Sequence, residues 1–388
     1  MRFSSRLPAN SLPNALSTAL TRLRDQGLAI LDLTVSNPTA CGFTYPEAAI
    51  REALGAPSVL RYAAEARGSL PAREAIAAHH GRGLRPEDLL LTASTSEAYA
   101  LLFKLLGDPG DEVLVPSPSY PLFEWLARME GLNAVTVPAW FHERWDLDIA
   151  ALESACTRRT RAICVVNPNN PTGQFLSRAE WNALTGLCTR KDLALIVDEV
   201  FADFPLEPEP GHLPTALEDP DPPCPVFVLS GLSKAALLPQ VKLGWIAARG
   251  PGARAALDSL EFIADQYLSV SASAQAAAPA LLALAPALRA QARARAMENL
   301  AALDAWLAVE RSWSRPSLGG GWSVLLRRPA LESDEAFALR LLEEEGVLVH
   351  PGHFFDLPAE GFLVLSLLPR PGGFRKGLDA LSKALPNR

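Results

Sequence analysis

Disulfide-forming cysteine is the first thing this chain is short of. Its five cysteines, Cys41, Cys156, Cys164, Cys188 and Cys224, contain no C-x-x-C pair, and an odd number does not make a disulfide framework. They read as reduced thiols of a cytoplasmic protein. The first eight residues (MRFSSRLP) lack the apolar core of a signal peptide. The longest apolar stretch, 276–288, is shorter than the roughly 20 residues that span a bilayer, and Pro279 and Pro286 interrupt it. No membrane span is expected. Lys and Arg are not clustered and the net charge is −7, which argues against a nucleic-acid surface. There is no internal repeat, no Walker loop and no G-x-G-x-x-G after a strand. Residues 231–235 (GLSKA) fall one residue short of a hydrolase nucleophile elbow. His350 and His353 are separated by a Pro-Gly turn with no third His or Cys nearby in sequence, so no metal is expected.

What is present is apolar and regularly alternating. Nearly half of the 388 residues are apolar, enough for a large core and about two or three typical domains. Short apolar runs at 112–116, 134–137, 161–166, 193–197 and 226–229 read as strands, with helices at 121–131 and 177–190 between them. Continuous apolar strands separated by helices predict an α/β domain with a mainly parallel sheet covered on both faces. After about residue 268 the texture changes. A long Ala- and Leu-rich helical region runs toward residue 309. A strand at 322–326, a helix at 333–345, a strand at 361–367 and a helix at 374–385 follow, which describes a smaller α+β unit.

Four segments carry chemistry. Residues 167–173 (NPNNPTG) follow a strand, where a rigid, amide-rich turn presents Asn side chains at the sheet edge that binds ligands in open α/β folds. As Asn-Pro steps alone they are equally an ordinary strand-to-helix turn. Asp198 and Glu199 end a buried strand, where a carboxylate needs a positive partner such as a protonated pyridine nitrogen, unless the pair is simply solvated. Lys234 follows another strand in apolar surroundings. Desolvation lowers a lysine pKa and frees an amine for Schiff-base formation, although a lone lysine is more often a surface residue. Residues 91–97 (LTASTSE) place Ser94 and Glu97 at capping-box spacing. The helix they start would offer free N–H groups to a phosphate, or it is a cap with no ligand.

Together, in this order and spacing, the four segments resemble the class I/II aminotransferases of fold type I, over nearly the whole chain. The resemblance implies pyridoxal 5'-phosphate as cofactor and amino-acid and 2-oxo-acid substrates. Lys234 would form the Schiff base and carry the proton between the substrate Cα and cofactor C4′. Asp198 would keep the pyridine nitrogen protonated. Asn170 would bond the cofactor's O3′, Tyr120 would stack on the ring, and Ser94, Thr95 and Ser96 would cradle the phosphate. Tyr62 would reach the phosphate of a partner subunit, which implies a homodimer, and Asn37 would line the substrate pocket. The resemblance also implies an N-terminal segment (1–44) packing with a small domain (269–388), and a large cofactor-binding domain (45–268).

The departures from the family pattern are informative. Lys242 stands for a phosphate-binding Arg, keeping the charge and losing the two-pronged grip. Gly231 stands for a Ser, whose hydroxyl is missing unless Ser230 or Ser233 replaces it. Phe201 stands for a Tyr that donates to O3′. Val364 stands for the Arg that clamps the substrate α-carboxylate, and Arg370 is the nearest replacement. No Lys or Arg lies between 255 and 288, which disfavours an acidic substrate side chain. The reading is an aminotransferase with a ping-pong cycle. A C–S lyase on the same cofactor and a non-catalytic cofactor-binding protein are the competing readings.

Overall fold

The computed structural model describes residues 3–8 and 12–384. The expected end of the last helix at Leu385 and the first two residues lie outside this range.

A seven-stranded sheet organises the chain. Its strands are β1 (Leu89–Thr92), β2 (Glu112–Ser117), β3 (Asn133–Pro138), β4 (Thr160–Val166), β5 (Ala194–Asp198), β6 (Val226–Gly231) and β7 (Gly244–Arg249). The spatial order is β1-β7-β6-β5-β4-β2-β3. The pairs β2–β3, β2–β4, β4–β5 and β5–β6 are parallel. Strand β7 is antiparallel to both neighbours, β1 and β6. The sheet is thus mainly parallel, with one reversed strand. Alternate residues of the same runs pack on the two faces of the sheet. Leu114, Ile163, Val165, Leu195 and Val197 face one, while Val113, Val115, Cys164, Ile196 and Leu229 face the other. Burial on both faces is why these strands read as unbroken apolar runs rather than as alternations.

A second core gathers around a three-stranded antiparallel sheet of β8 (Ser323–Arg327), β9 (His350–Pro351) and β10 (Phe362–Ser366), with β10 in the middle. The N-terminal segment joins this core. Leu31–Asp32 pairs in parallel with Val347–Leu348, and Leu33 is buried there.

The helix Ala272–Leu307 connects the two cores. Its first half packs Ala274, Ala277, Ala278, Leu281 and Ala285 into the sheet core, and its second half packs Ala296, Leu300 and Leu303 into the other. Pro279 and Pro286 lie inside it without ending it. Each proline deletes a helical hydrogen bond and is worth about 3 kcal/mol against a helix interior. Burial of five or more apolar side chains around them, at roughly 0.8 kcal/mol per buried methylene, offsets that cost. All five cysteines are free, and among the described residues no helix is long and apolar enough to cross a membrane.

Candidate active site

Strands β2, β4, β5 and β6 run the same way, so their carboxyl ends share one edge, the edge where open α/β sheets bind ligands. Tyr120, residues 167–173, Asp198 and Lys234 follow those four ends. Thr92 at the end of β1 is brought to the same edge through Gly244 of β7, which pairs with both Thr92 and Gly231.

Lys234 lies in the short helix Leu232–Ala235 directly after β6. Its Nζ sits 4.9 Å from the ring centre of Trp322 and 5.6 Å from that of Phe201, and the two rings meet edge-on at 5.3 Å. It makes no hydrogen bond or ion pair among the described residues. Burial pushes its ammonium pKa down, and the charge of Asp198 opposes that shift. The direction is the one an amine nucleophile needs.

Asp198 is 8 % exposed at the end of β5. Its Oδ1 accepts from Val200 N at 3.1 Å and its Oδ2 from the Tyr99 hydroxyl at 3.2 Å. Burial raises its pKa to about 6, against the lowering effects of the Val200 N–H, Tyr99 and Lys234. The neighbouring Glu199 is not part of a solvated pair. It is 2 % exposed and accepts from Thr215 Oγ1, Ala216 N and Asn167 Nδ2, so it ties the strand end to the following loop.

The three asparagines after β4 separate cleanly. Asn167 accepts from Leu176 N and donates to Leu213 O. Asn169 donates to Pro118 O and accepts from the N–H and hydroxyl of Thr172. Both amides hold the turn together. Of the three, Asn170 is the one whose amide makes no hydrogen bond among the described residues, and its Oδ1 is buried. Tyr120 is 42 % exposed on the same edge, and its hydroxyl pKa is raised by burial and then by the charge of Asp198.

The helix Thr95–Leu106 begins with Ser94 Oγ accepting from Glu97 N at 3.2 Å. The capping-box expectation holds by half. Glu97 Oε2 reaches past Ser94 to the N–H of Ala93, at 2.5 Å, and also accepts from Ser269. The N–H groups of Thr95 and Ser96 have no acceptor among the described residues, so the positive helix end is open. The absence of a Ser at 231 has a steric reason. A Cβ there would lie 2.9 Å from Leu243 O and 3.1 Å from the Gly244 Cα. Among the described residues, neither Ser230 nor Ser233 makes a side-chain hydrogen bond that compensates. Lys242 is exposed, two residues ahead of Gly244.

Four positions singled out in the sequence stand apart. Tyr62 is 86 % exposed and lines a groove of about 390 Å³ with Arg61, Gly68, Glu97 and Tyr267, a groove that Asp198, Phe201, Lys234 and Trp322 do not line. Asn37 is exposed. Its Oδ1 caps the turn Pro38–Ala40 through the N–H and hydroxyl of Thr39, which leaves only its Nδ2 donors for a ligand. Val364 is buried in β10 among Trp145, Phe355 and Phe362, so no cation points from that strand position. Arg370 is exposed with its guanidinium laid against Gly42, and it has no ion pair among the described residues.

The structure adds residues that sequence reasoning missed. Tyr99 was legible only as a rare tyrosine in an apolar helix. Trp322 packs over Lys234 from just ahead of β8, in a cluster with Phe201, Phe204 and Leu368, 88 residues away in sequence, and nothing local announces it.

A family model described as Aminotransferase class I and II matches residues 29–370. The alanine aminotransferase of Mycobacterium tuberculosis H37Rv is 30 % identical over 388 residues, covering 94 % of this chain and 87 % of the relative. The arginine–pyruvate transaminase of Pseudomonas aeruginosa is 31 % identical over 376 residues, covering 90 % and 88 %. Among solved structures, the alanine aminotransferase from Pyrococcus furiosus superposes with a TM-score of 0.87 at 26 % identity, covering 98 % of this chain and 99 % of that one.

Proposed function

Because the chain belongs to the class I and II aminotransferases, and so transfers amino groups between amino acids and 2-oxo acids, we propose that it does so with pyridoxal phosphate attached at Lys234. The carrying observation is the set of open valences on one sheet edge. Lys234 is a buried amine with its pKa pushed down and no hydrogen bond among the described residues, Asp198 a buried carboxylate, Asn170 an unspent amide, and the Thr95–Leu106 helix an open N-terminus. An aldehyde, a pyridinium nitrogen, a phenolic oxygen and a phosphate match these in turn. The residues present therefore fit the cofactor.

Bound there, pyridoxal phosphate supplies an aldehyde to hold the amino group and a cationic ring that withdraws electrons. The chain does the rest. Asp198 holds the proton on the ring nitrogen, and its own burial makes that pairing strong. Asn170 bonds the ring oxygen, Tyr120 covers the ring, and Ser94, Thr95, Ser96 and Lys242 hold the phosphate. Lys234 would be the base that moves the proton between the substrate Cα and C4′. Trp322 and Phe201 exclude water around it.

Pyruvate is a sensible first acceptor, since relatives are named alanine aminotransferase and arginine–pyruvate transaminase. A screen of amino donors against pyruvate and 2-oxoglutarate tests the function. Amino transfer with matched keto-acid and amino-acid products is expected. Release of pyruvate and ammonia from a donor with no acceptor would instead mark a lyase.

Arg370 takes the role that Val364 cannot, binding a substrate carboxylate. Arg370→Ala should raise the amino-donor KM about 10²-fold, the size of a lost charge-assisted pair. An unchanged KM would remove Arg370 from the site. Phe201 leaves the ring oxygen without a hydroxyl donor. In Phe201→Tyr the midpoint of the cofactor's absorbance titration should fall by about one pH unit, as the new donor stabilises the deprotonated form. A midpoint that does not move would refute that role.

The protein is a cytoplasmic homodimer in this reading. Leu60, Tyr62 and Tyr267 are 87 %, 86 % and 58 % exposed, an apolar surface that asks for cover, and the groove that Tyr62 and Tyr267 line would pass Tyr62 to the partner's phosphate site. The division into 1–44, 45–268 and 269–388 belongs to the same proposal, with the long helix spanning both cores. Sedimentation equilibrium should return twice the chain mass. A monomer at micromolar concentration would contradict it.

A further inference from the structure

Three consecutive carbonyls lead into Arg370, and all three are held by one helix face. Asn299 Nδ2 donates to Leu367 O at 2.9 Å and to Pro369 O at 2.8 Å. Arg295 Nη1 donates to Leu368 O at 3.2 Å and to Cys41 O at 3.3 Å. Asn299 and Arg295 are four residues apart on the Ala272–Leu307 helix, so they share a face. Asn299 is fully buried, and its Oδ1 has no partner. An apolar residue of the same size would remove the orphan Oδ1 but leave the Leu367 and Pro369 carbonyls without their donor, so the value of the amide lies in its Nδ2.

The consequences meet at Gly42. Cys41 and Leu368 pack in the same cluster as Phe201 and Trp322, the rings beside Lys234. Arg295 thus ties the N-terminal segment at Cys41 to the chain just past β10. The next residues are Gly42 on one side and Arg370, after Pro369, on the other. Gly42 has φ +72°, and a Cβ on it would lie 2.6 Å from Nη2 and 2.9 Å from Nε of Arg370. The Arg370 carbonyl is fixed as well, accepting from Phe374 N at 3.0 Å. A long, exposed arginine with no ion pair is therefore anchored at its backbone on both sides and seated on a glycine.

We infer that Asn299 and Arg295 are positioning residues that clamp 367–369 to the long helix and so aim Arg370 at the substrate carboxylate. The inference rests on the reading of Arg370 as the carboxylate-binding residue. It accounts for the relocated cation: strand position 364 has lost it, and a clamp from the helix restores rigidity to a loop arginine. Misplacing a binding group by about 1 Å can cost on the order of 10²-fold.

The test uses the enzyme loaded with pyridoxal phosphate and four variants: Asn299→Leu, Arg295→Met, Arg370→Ala and the double variant Asn299→Leu/Arg370→Ala. Steady-state kinetics are read beside the dissociation constant of an unreactive 2-methyl amino acid, followed by the cofactor's absorbance. Asn299→Leu should raise donor KM and the analogue's dissociation constant by roughly 10- to 100-fold, with kcat falling less than KM rises. The double variant should bind no more weakly than Arg370→Ala alone, because the clamp acts through that arginine. Additive losses in the double variant, or unchanged binding in Asn299→Leu, overturn the inference while leaving Arg370 in place. Unchanged binding in Arg370→Ala overturns the reading beneath it, and the inference with it. Should Asn299→Leu fail to fold or to take up cofactor, Arg295→Met, at a half-buried position, carries the same comparison with its own Arg370→Ala double.

Discussion

Lys234→Ala is expected to lose amino transfer by about 10⁴-fold or more in kcat. On the proposed function the substitution removes the covalent attachment and the proton carrier together, and positioned proton transfer alone contributes about 10²–10⁴-fold. The fold should survive. The short helix Leu232–Ala235 tolerates alanine, and Trp322 and Phe201 still pack against each other at 5.3 Å. Single-turnover kinetics at saturating amino donor, with circular dichroism on the same sample, decide the matter. A variant within tenfold of the parent would place the chemistry on another residue.

Asp198→Asn should act in opposite directions on activity and stability. In the loaded enzyme it removes the charge that keeps the ring nitrogen protonated, and a fall of about 10²–10³-fold in kcat is expected, the scale of one preorganised electrostatic contact. In the cofactor-free protein the same carboxylate is a burden. Its folded pKa is raised to about 6 from 3.8, so ionisation is disfavoured by folding. The contribution of Asp198 to stability is fully present below pH 3.8 and is lost as pH rises through 6. Asn does not ionise, so the variant gains relative to the parent over that window and holds the gain above it, by roughly 2–3 kcal/mol at most. Thermal unfolding of both cofactor-free proteins from pH 4 to pH 7 should show a gap widening in favour of Asp198→Asn. A constant gap, or one that favours the parent, would mean the carboxylate has a cationic partner other than the cofactor.

The large-domain strands were legible because burial on both faces writes itself as unbroken apolar runs, and β2, β4, β5 and β6 begin and end within about two residues of those runs. The direction of β7 was not legible. Its local sequence, GWIAAR, is the same for either orientation, and only the turn after Lys234 reverses it. The long helix misleads in a related way. Pro279 and Pro286 are local breakers, and packing along both cores overrides them.

The same distinction separates the site residues. Tyr120, Asn170, Asp198 and Lys234 each follow a strand, so sequence position implies spatial position. Glu199 looks in sequence like the twin of Asp198, yet the loop at Thr215 and Ala216 satisfies it. Trp322, Arg295, Asn299 and Gly42 reach the site from distant segments. The exchange of Arg for Val at 364 was visible. The clamp that seats Arg370 needed the register of the long helix against β10.

The attachment point is tested most directly by chemical trapping. The enzyme loaded with pyridoxal phosphate is reduced with borohydride, digested, and its peptides are mapped by mass spectrometry. One phosphopyridoxyl group per chain on Lys234 is the result expected. Label on Lys242 or any other lysine, or no label on an enzyme that still transfers amino groups, would contradict the assignment of Lys234.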